Sequence, residues 1–339
     1  MLAKPDVSDE TLLACLRDHF GVHATEIAFL PIGNDVDTAV YRVAADDAAP
    51  YFLKLRSWRR SGRFDATTVV IPRFLYNQGI TEIIAPIPTR EWKTWTRLDT
   101  FAVILFPFIA GTNGFVAPLS ERQWIEFGTA LRKVHTVGVP PTLRAQIPYE
   151  TYAPLWRDRV RALQVRVEET AFTDPIAAEL AAFLCAKHDG ISHLIARADT
   201  LGDTLRARPP AHVLCHADIH AANLLIGTDG ALYIVDWDTL ILAPKERDLM
   251  FIGGGVGGAW NTAQEEALFY RGYGQTEIDR VALAYYRFER IVEDIVEFCE
   301  RLLVTDESGE DRAVGLGKFV RQFGPNQVVE IAYRTDTGR

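Results

Sequence analysis

Apolar positions change their period along the chain. From Ser8 onward Leu12, Leu13, Leu16 and Phe20 recur at helical spacing until Gly21, which predicts a first helix over residues 9–20 with Ser8 as N-cap. Residues 27–32, 39–43 and 51–55 are then β-favouring runs, separated by the turn-rich clusters Gly33-Asn34-Asp35 and Ala45-Asp46-Asp47. That pattern predicts an antiparallel meander. Residues 67–76 read as a helix complicated by Pro72, and residues 83–84 and 101–106 supply two more strands around Pro86 and Pro88.

After Phe108-Ile109-Ala110-Gly111 long amphipathic helical patterns take over, at residues 121–135, 152–167, 176–205, 262–273 and 279–303. A β interruption falls among them: residues 212–215, then 223–226, a Gly227-Thr228-Asp229-Gly230 turn, and 232–235. The fold class expected is α+β. A small antiparallel sheet lobe occupies residues 1–106, a hinge 107–111, and a larger, mainly helical lobe 112–339 that carries a β-hairpin.

Composition changes this picture chiefly by exclusion. With 48% hydrophobic and 24% charged residues, the 339-residue chain has the balance of a soluble globular protein. Its formal charge of −9 disfavours a nucleic-acid binder held by phosphate contacts and suits a cationic small molecule. Cys15, Cys185, Cys215 and Cys299 are scattered with no C-x-x-C pair, as expected of reduced thiols in a cytosol. Lys4, Asp6, Asp9 and Glu10 precede no apolar signal core, and the longest apolar stretch, 101–110, contains Pro107. The expectation is a soluble, cytoplasmic protein without a membrane or nucleic-acid partner.

The hairpin region carries the strongest chemical signal: His216-Ala217-Asp218-Ile219-His220-Ala221-Ala222-Asn223, an apolar strand, then Ile234-Val235-Asp236-Trp237-Asp238. Phosphoryl transfer from Mg-ATP needs a carboxylate beside the acceptor hydroxyl and oxygen ligands that place Mg²⁺ on the phosphates. Asp218, Asn223 and Asp236 fill those roles in the order and spacing of a kinase catalytic loop and the metal-binding aspartate after it. The competing reading, that Asp218 and His220 cap a turn and residues 236–238 merely end a strand, makes the agreement of all three positions a coincidence. A zinc site at His216 and His220 is disfavoured because the segment joins strands and lacks an H-E-x-x-H glutamate; His216 reads as a packing residue that fixes the loop. Lys54, on the third strand, is positioned to hold phosphates, and the turn from Gly33 to Thr38 to lie over them, although it carries one glycine where protein kinases carry three. Arg56, Arg59, Arg60 and Arg63 read by default as a solvated basic loop, with phosphate contact by one of them as the alternative. The G-x-G-x-x-G at Gly253, Gly255 and Gly258 is rejected as a dinucleotide fingerprint, since no repeated βαβ pattern surrounds it.

On these motifs, on residues 242–257 and on residues 289–295, the chain resembles the aminoglycoside phosphotransferase family, antibiotic kinases of protein-kinase-like fold, and within it the branch that phosphorylates spectinomycin. The resemblance implies a two-lobed kinase fold, with ATP (GTP as the alternative) and Mg²⁺ as cofactors. It implies Asp218 as catalytic base, Asn223 and Asp236 as metal ligands, and Lys54 on the phosphates. Phe106, Phe108 and Ile109 fall in the adenine-binding hinge, and Asp248 braces the catalytic loop. The implied acceptor is a cationic aminocyclitol or aminoglycoside, spectinomycin at its 9-hydroxyl; choline, methylthioribose or another small alcohol, and a catalytically silent binding protein, are the alternatives. Carboxylates should then line the acceptor pocket, the candidates being Asp238, Glu246, Glu289, Glu293 and Asp294. Glu289, Glu293 and Glu297 recur four apart, where like charges repel unless a cation lies between them; a surface helix salt-bridged through Arg290 and Arg301 accounts for them equally well. One departure stands out: residues 67–78 hold no acid to pair with Lys54, and Asp65 is the nearest carboxylate in the sequence.

Overall fold

The computed structural model describes residues 4–33, 37–46, 48–59, 62–303 and 309–338. Asn34, Asp35, Val36, Asp47 and Arg60, which belong to the expected turns and basic loop, lie outside the described residues. Ser8 Oγ accepts from the Thr11 amide at 3.2 Å and starts α1 (Asp9–Cys15), which continues as a π turn and stops at Gly21 with φ 74°. The meander follows as β1 (Ala24–Leu30), β2 (Thr38–Ala45) and β3 (Ala48–Ser57). Next come α2 (Thr67–Asn77), which accommodates Pro72, then β4 (Thr96–Leu98), β5 (Phe101–Pro107) and β6 (Gly111–Asn113). The helices α3 (Glu121–Thr136), α4 (Pro141–Arg144) and α5 (Leu155–Glu169) lead to α6 (Pro175–Ala186) and α7 (His188–Ala207). The single helix expected over 176–205 is thus two, parted at Lys187, where ψ turns to 6°. Strands β7 (Val213–Cys215), β8 (Leu224–Gly227), β9 (Leu232–Ile234) and β10 (Ile241–Ala243) precede α8 (Glu246–Leu249), α9 (Ala263–Tyr273), α10 (Arg280–Leu303), α11 (Gly309–Arg321) and α12 (Val328–Thr337).

Two compact units divide the chain, one of Met1–Leu119, Thr136–Ile147 and Ala222–Leu240, the other of Ser120–His135, Pro148–Ala221 and Ile241–Arg339. In the first, an antiparallel sheet runs β1-β2-β3-β5-β4. The alternation of β3 and β5 sends Leu53, Leu55, Val103 and Leu105 into a core with Leu12, Leu16 and Phe20 of the N-terminal helical segment. Each such buried side chain contributes roughly 1.5–3 kcal/mol. The opposite face presents Ala102 and Ile104, which pack with Val69 of α2. A second sheet, β6-β8-β9, holds the hairpin, and Gly111 is required there because a Cβ would stand 2.2 Å from the Ile226 carbonyl oxygen. Residues 83–84 form no strand; Ile83 makes an isolated bridge to Ile234.

The second unit is built around α10, which packs against α5, α6, α7, α8, α11 and α12. Helices α3 and α9 approach as closely as their glycines permit: a Cβ on Gly128 would meet the Phe269 carbonyl at 2.1 Å, and one on Gly272 the Ile125 carbonyl at 1.9 Å. That contact sets His135, at the end of α3, against Tyr273 of α9, 2.7 Å from Nδ1 to the hydroxyl. The segment before the loop of residues 216–223, β7, pairs with β10 and not with the hairpin. Around Gly253 to Gly258 the chain forms turns and a short 3-10 helix, with no βαβ unit.

Candidate active site

In the first unit, register places Lys54 opposite Ile104, on the face that α2 covers, because its neighbours Leu53 and Leu55 fill the other core. The Lys54 Nζ lies 2.8 Å from Asp238 Oδ2 and 3.9 Å from Asp236 Oδ1. Arg56, two residues on and hence on the same face, reaches Asp238 Oδ1 at 2.9 Å. Burial pushes the Asp238 carboxyl up, but the charges of Lys54 and Arg56 outweigh it and hold the group below its ordinary range. The lysine's carboxylate partner therefore comes from the Trp237–Thr239 turn, which packs beside α2, and not from the helix itself. Asp65 is occupied elsewhere: it accepts from the Thr67 amide at 3.0 Å and hydroxyl at 2.6 Å, at the start of α2. One expectation changes as a result: Arg56 belongs to this cluster and not to a solvated loop. Asp238, expected as an acceptor-facing carboxylate, lies here against Lys54 and Arg56.

Asp236 follows β9 in the left-handed region, φ 64°, which aspartate tolerates better than most residues, and its side chain is half exposed. The Val235 amide donates to the Asn223 carbonyl at 3.0 Å, so backbone pairing ties the ends of the hairpin that carry Asn223 and Asp236. A carboxylate and an amide oxygen are hard donors of the kind Mg²⁺ takes, and a half-exposed carboxylate leaves room for the waters that ion retains. Thr38 opens β2 opposite Arg56, and Gly33 has φ 98°. Phe106 lies beside Phe52, ring centroids 6.5 Å apart; the Phe108 amide donates to the Pro50 carbonyl, and its ring receives the Arg42 guanidinium at 5.5 Å. Ile109 lies just past the end of β5.

In the second unit, Asp218 stands on a loop whose backbone is gripped by one buried acid. Asp248, fully buried on α8, accepts from the His216 amide at 3.0 Å and the Ala217 amide at 2.6 Å, and its Oδ2 also meets His135 Nε2 at 2.9 Å. These bonds hold Ala217 at φ 72°, a conformation that costs a non-glycine residue about 1 kcal/mol or more. His216 is buried, and its Nδ1 accepts from the Asp218 amide at 3.3 Å. The Asp218 carboxylate is held on both oxygens, Oδ1 by Arg290 Nη1 at 2.6 Å and Oδ2 by His220 Nε2 at 3.4 Å. Burial raises this carboxyl, yet the His220 hydrogen bond and the Arg290 charge win and keep it well below the usual carboxylate range. Buried His135, Cys215 and Asp248 lie close together, but His135 and Asp248 are hydrogen-bonded as described and the Cys215 thiol is pushed up by burial, which opposes a metal-binding thiolate.

The acidic row on α10 divides by burial. Glu289 is buried against Arg157, 3.1 Å away, and burial lifts its carboxyl to about 7 despite that charge. Asp294 is buried and paired with Arg290 Nε at 2.8 Å. Glu246 is buried too, its Oε1 accepting from Lys245 at 2.8 Å and from the Asp279 amide at 3.0 Å, where it joins α8 to the start of α10. These three are buried in ion pairs and hydrogen bonds of the second unit, so a surface helix does not describe this face of α10. Glu293 is less buried and faces Arg247 at 3.7 Å. Arg157, Arg247 and His135 are partners of the second unit's acids that sequence reasoning did not place, and Arg290, expected on a surface helix, is one that it placed in part. The signal for His135 was present, as a histidine on the apolar stripe of α3 formed by Trp124, Phe127 and Leu131.

The second unit carries an H-x-D loop gripped by a buried acid, the first a strand lysine paired to a carboxylate, and the fold is that of a protein-kinase-like phosphotransferase. The chain matches the phosphotransferase enzyme family over residues 28–286 and belongs to it. It is similar to spectinomycin phosphotransferase APH(9)-Ia, solved in complex with ADP and spectinomycin: 37% identity, TM-score 0.87, covering 98% of this chain and 99% of that one. The AMP-bound structure of the same enzyme aligns with TM-score 0.84 over 97% and 99% of the two chains at the same 37% identity. Protein StrN of Streptomyces griseus is 27% identical over 264 residues, 75% of this chain and 78% of its own length. None of the helices among the described residues is long and apolar enough to cross a membrane.

Proposed function

We propose that the protein transfers the γ-phosphoryl group of ATP to a hydroxyl of an aminocyclitol antibiotic, with spectinomycin as acceptor at its 9-hydroxyl, and so confers resistance to it in the cytoplasm. The observation that carries the chemistry is Asp218: an ionised carboxylate on a loop braced by Asp248. The acceptor hydroxyl gives its proton to Asp218 as its oxygen bonds to the γ-phosphorus, and the bond to the β-γ bridging oxygen breaks to release ADP. Lys54 holds the α- and β-phosphates, with Gly33 and Thr38 above them and Phe106, Phe108 and Ile109 beside adenine. Asn223 and Asp236 would hold Mg²⁺, which when bound neutralises phosphate charge. The choice of spectinomycin is supported by the near-complete alignment, at 37% identity, with an enzyme solved with that drug. Glu293 remains the acceptor-binding carboxylate on α10.

The test is phosphate transfer from Mg-ATP, and in parallel Mg-GTP, to spectinomycin, an aminoglycoside, choline and methylthioribose, with the product's phosphate position read by phosphorus NMR. Spectinomycin should be the fastest acceptor. A much faster rate with any of the others overturns the substrate while leaving the kinase, and no transfer to any acceptor overturns both.

Asp238 provides a separate check on the nucleotide side. A hydrogen bond to a charged group is worth about 1.5–3 kcal/mol, so Asp238→Ala, which frees Lys54, should raise the KM for ATP about tenfold or more. The KM for acceptor should stay near its wild-type value. Steady-state kinetics with each substrate varied in turn decides this, and the reverse pattern would return Asp238 to the acceptor.

A further inference from the structure

We propose that Arg290 is a positioning residue for Asp218, fixing the rotamer of the catalytic carboxylate from the rigid α10 helix; the inference rests on Asp218 being the base. Three observations converge on it. The guanidinium uses different nitrogens for two acids: Nη1 lies 2.6 Å from Asp218 Oδ1, and Nε lies 2.8 Å from Asp294 Oδ1 one helical turn along. Its Cζ lies over the Phe251 ring, 5.8 Å from the centroid, so the side chain makes a cation–π contact as well as its ion pairs. Asp294 in turn receives a hydrogen bond from Gln322 at 3.3 Å, and α10 packs along its length on six other helices.

The division of labour follows from these contacts. Asp248 grips the backbone of the loop, at His216 and Ala217. Arg290 acts on the Asp218 side chain itself, at Oδ1, with a short 2.6 Å contact. His220 Nε2 stands farther from Oδ2, at 3.4 Å. A lysine could neutralise one acid but lacks the fork that spans both. Sequence spacing alone assigns Arg290 to Asp294 at i, i+4 on a surface helix; the fold buries that pair and extends it to Asp218.

The test is a double-mutant cycle. Misplacing a reacting group by about 1 Å costs up to about 10²-fold in rate, so Arg290→Gln should lower kcat about 10- to 100-fold while the KM for Mg-ATP moves less than about twofold. Arg290→Lys should recover part of the loss. In an Asp218→Asn background, measured by single turnover, adding Arg290→Gln should cost less than about twofold, because a residue acting through Asp218 has nothing left to act on. If Arg290→Gln leaves Asp294 unpaired and fails to fold, Arg290→Gln/Asp294→Asn removes the stranded charge and the same cycle is run on it. Equal losses in both backgrounds, or wild-type kcat in Arg290→Gln, overturn the inference alone. Wild-type turnover in Asp218→Asn sinks the base assignment and this inference with it.

Discussion

Replacing Asp218 with alanine should lower turnover by about 10²-fold or more, the usual scale for a general base, while nucleotide affinity stays near the wild-type value. Its partners Arg290 and His220 are not among the residues proposed to hold phosphate or metal, so its loss leaves those proposed residues in place. Its ionisation also fixes the pH dependence. Because Arg290 and His220 hold the folded carboxyl well below its ordinary value, it stays charged as pH falls and contributes no acid limb to the rate above about pH 4, the ordinary carboxylate range. The favourable pairing it makes is present above the unfolded value and is lost only as pH falls through the folded one. Asp218→Asn should be nearly as slow as Asp218→Ala, since an amide of the same shape cannot accept the proton. The measurements are kcat with saturating acceptor and nucleotide binding by calorimetry; near-normal turnover in either variant would remove Asp218 from the mechanism.

Local chemistry was legible in the sequence, and long-range pairing was not. The meander announced itself by alternation and turn residues, and the candidate catalytic segment by fixed spacing within one loop and hairpin. Residues 176–205 kept a helical period straight through the break at Lys187, because neither glycine nor proline marks it. The strands β4 and β10 are three residues each, too short for any period. Helix α11 was hidden by Gly309, Gly315 and Gly317, whose low helix propensity argues against the structure that packing on α10 enforces.

The site divides along the same line. Lys54 could be placed by strand position, but its partner lies 184 residues away, and the absence of an acid on α2 only posed the question. Register settles it, because Lys54 and Arg56 share the face beside the turn that carries Asp238. Acid spacing on α10 suggested one face with one purpose, whereas three arginines from three elements, Arg157, Arg247 and Arg290, each take a separate carboxylate there.

Asp236→Asn should be the second large effect, expressed in metal dependence. A hard divalent cation is held chiefly by charge, and of the two proposed ligands only Asp236 carries one. Exchanging its carboxylate for an amide should raise the Mg²⁺ needed for half-maximal rate by at least the roughly 10- to 100-fold that losing a supporting partner costs. Asn223→Ala should raise it less. The fold should tolerate the exchange. The side chain is half exposed, its left-handed φ of 64° suits asparagine as well as aspartate, and Lys54 keeps its closer partner, Asp238, at 2.8 Å. Thermal unfolding of Asp236→Asn should therefore stay close to wild type while the Mg²⁺ titration moves, which separates a metal ligand from a structural acid. An unmoved titration with a lowered melting temperature would assign Asp236 to the fold, and would leave Asp238, already committed to two cations, as the remaining carboxylate of the hairpin on which a metal could be sought.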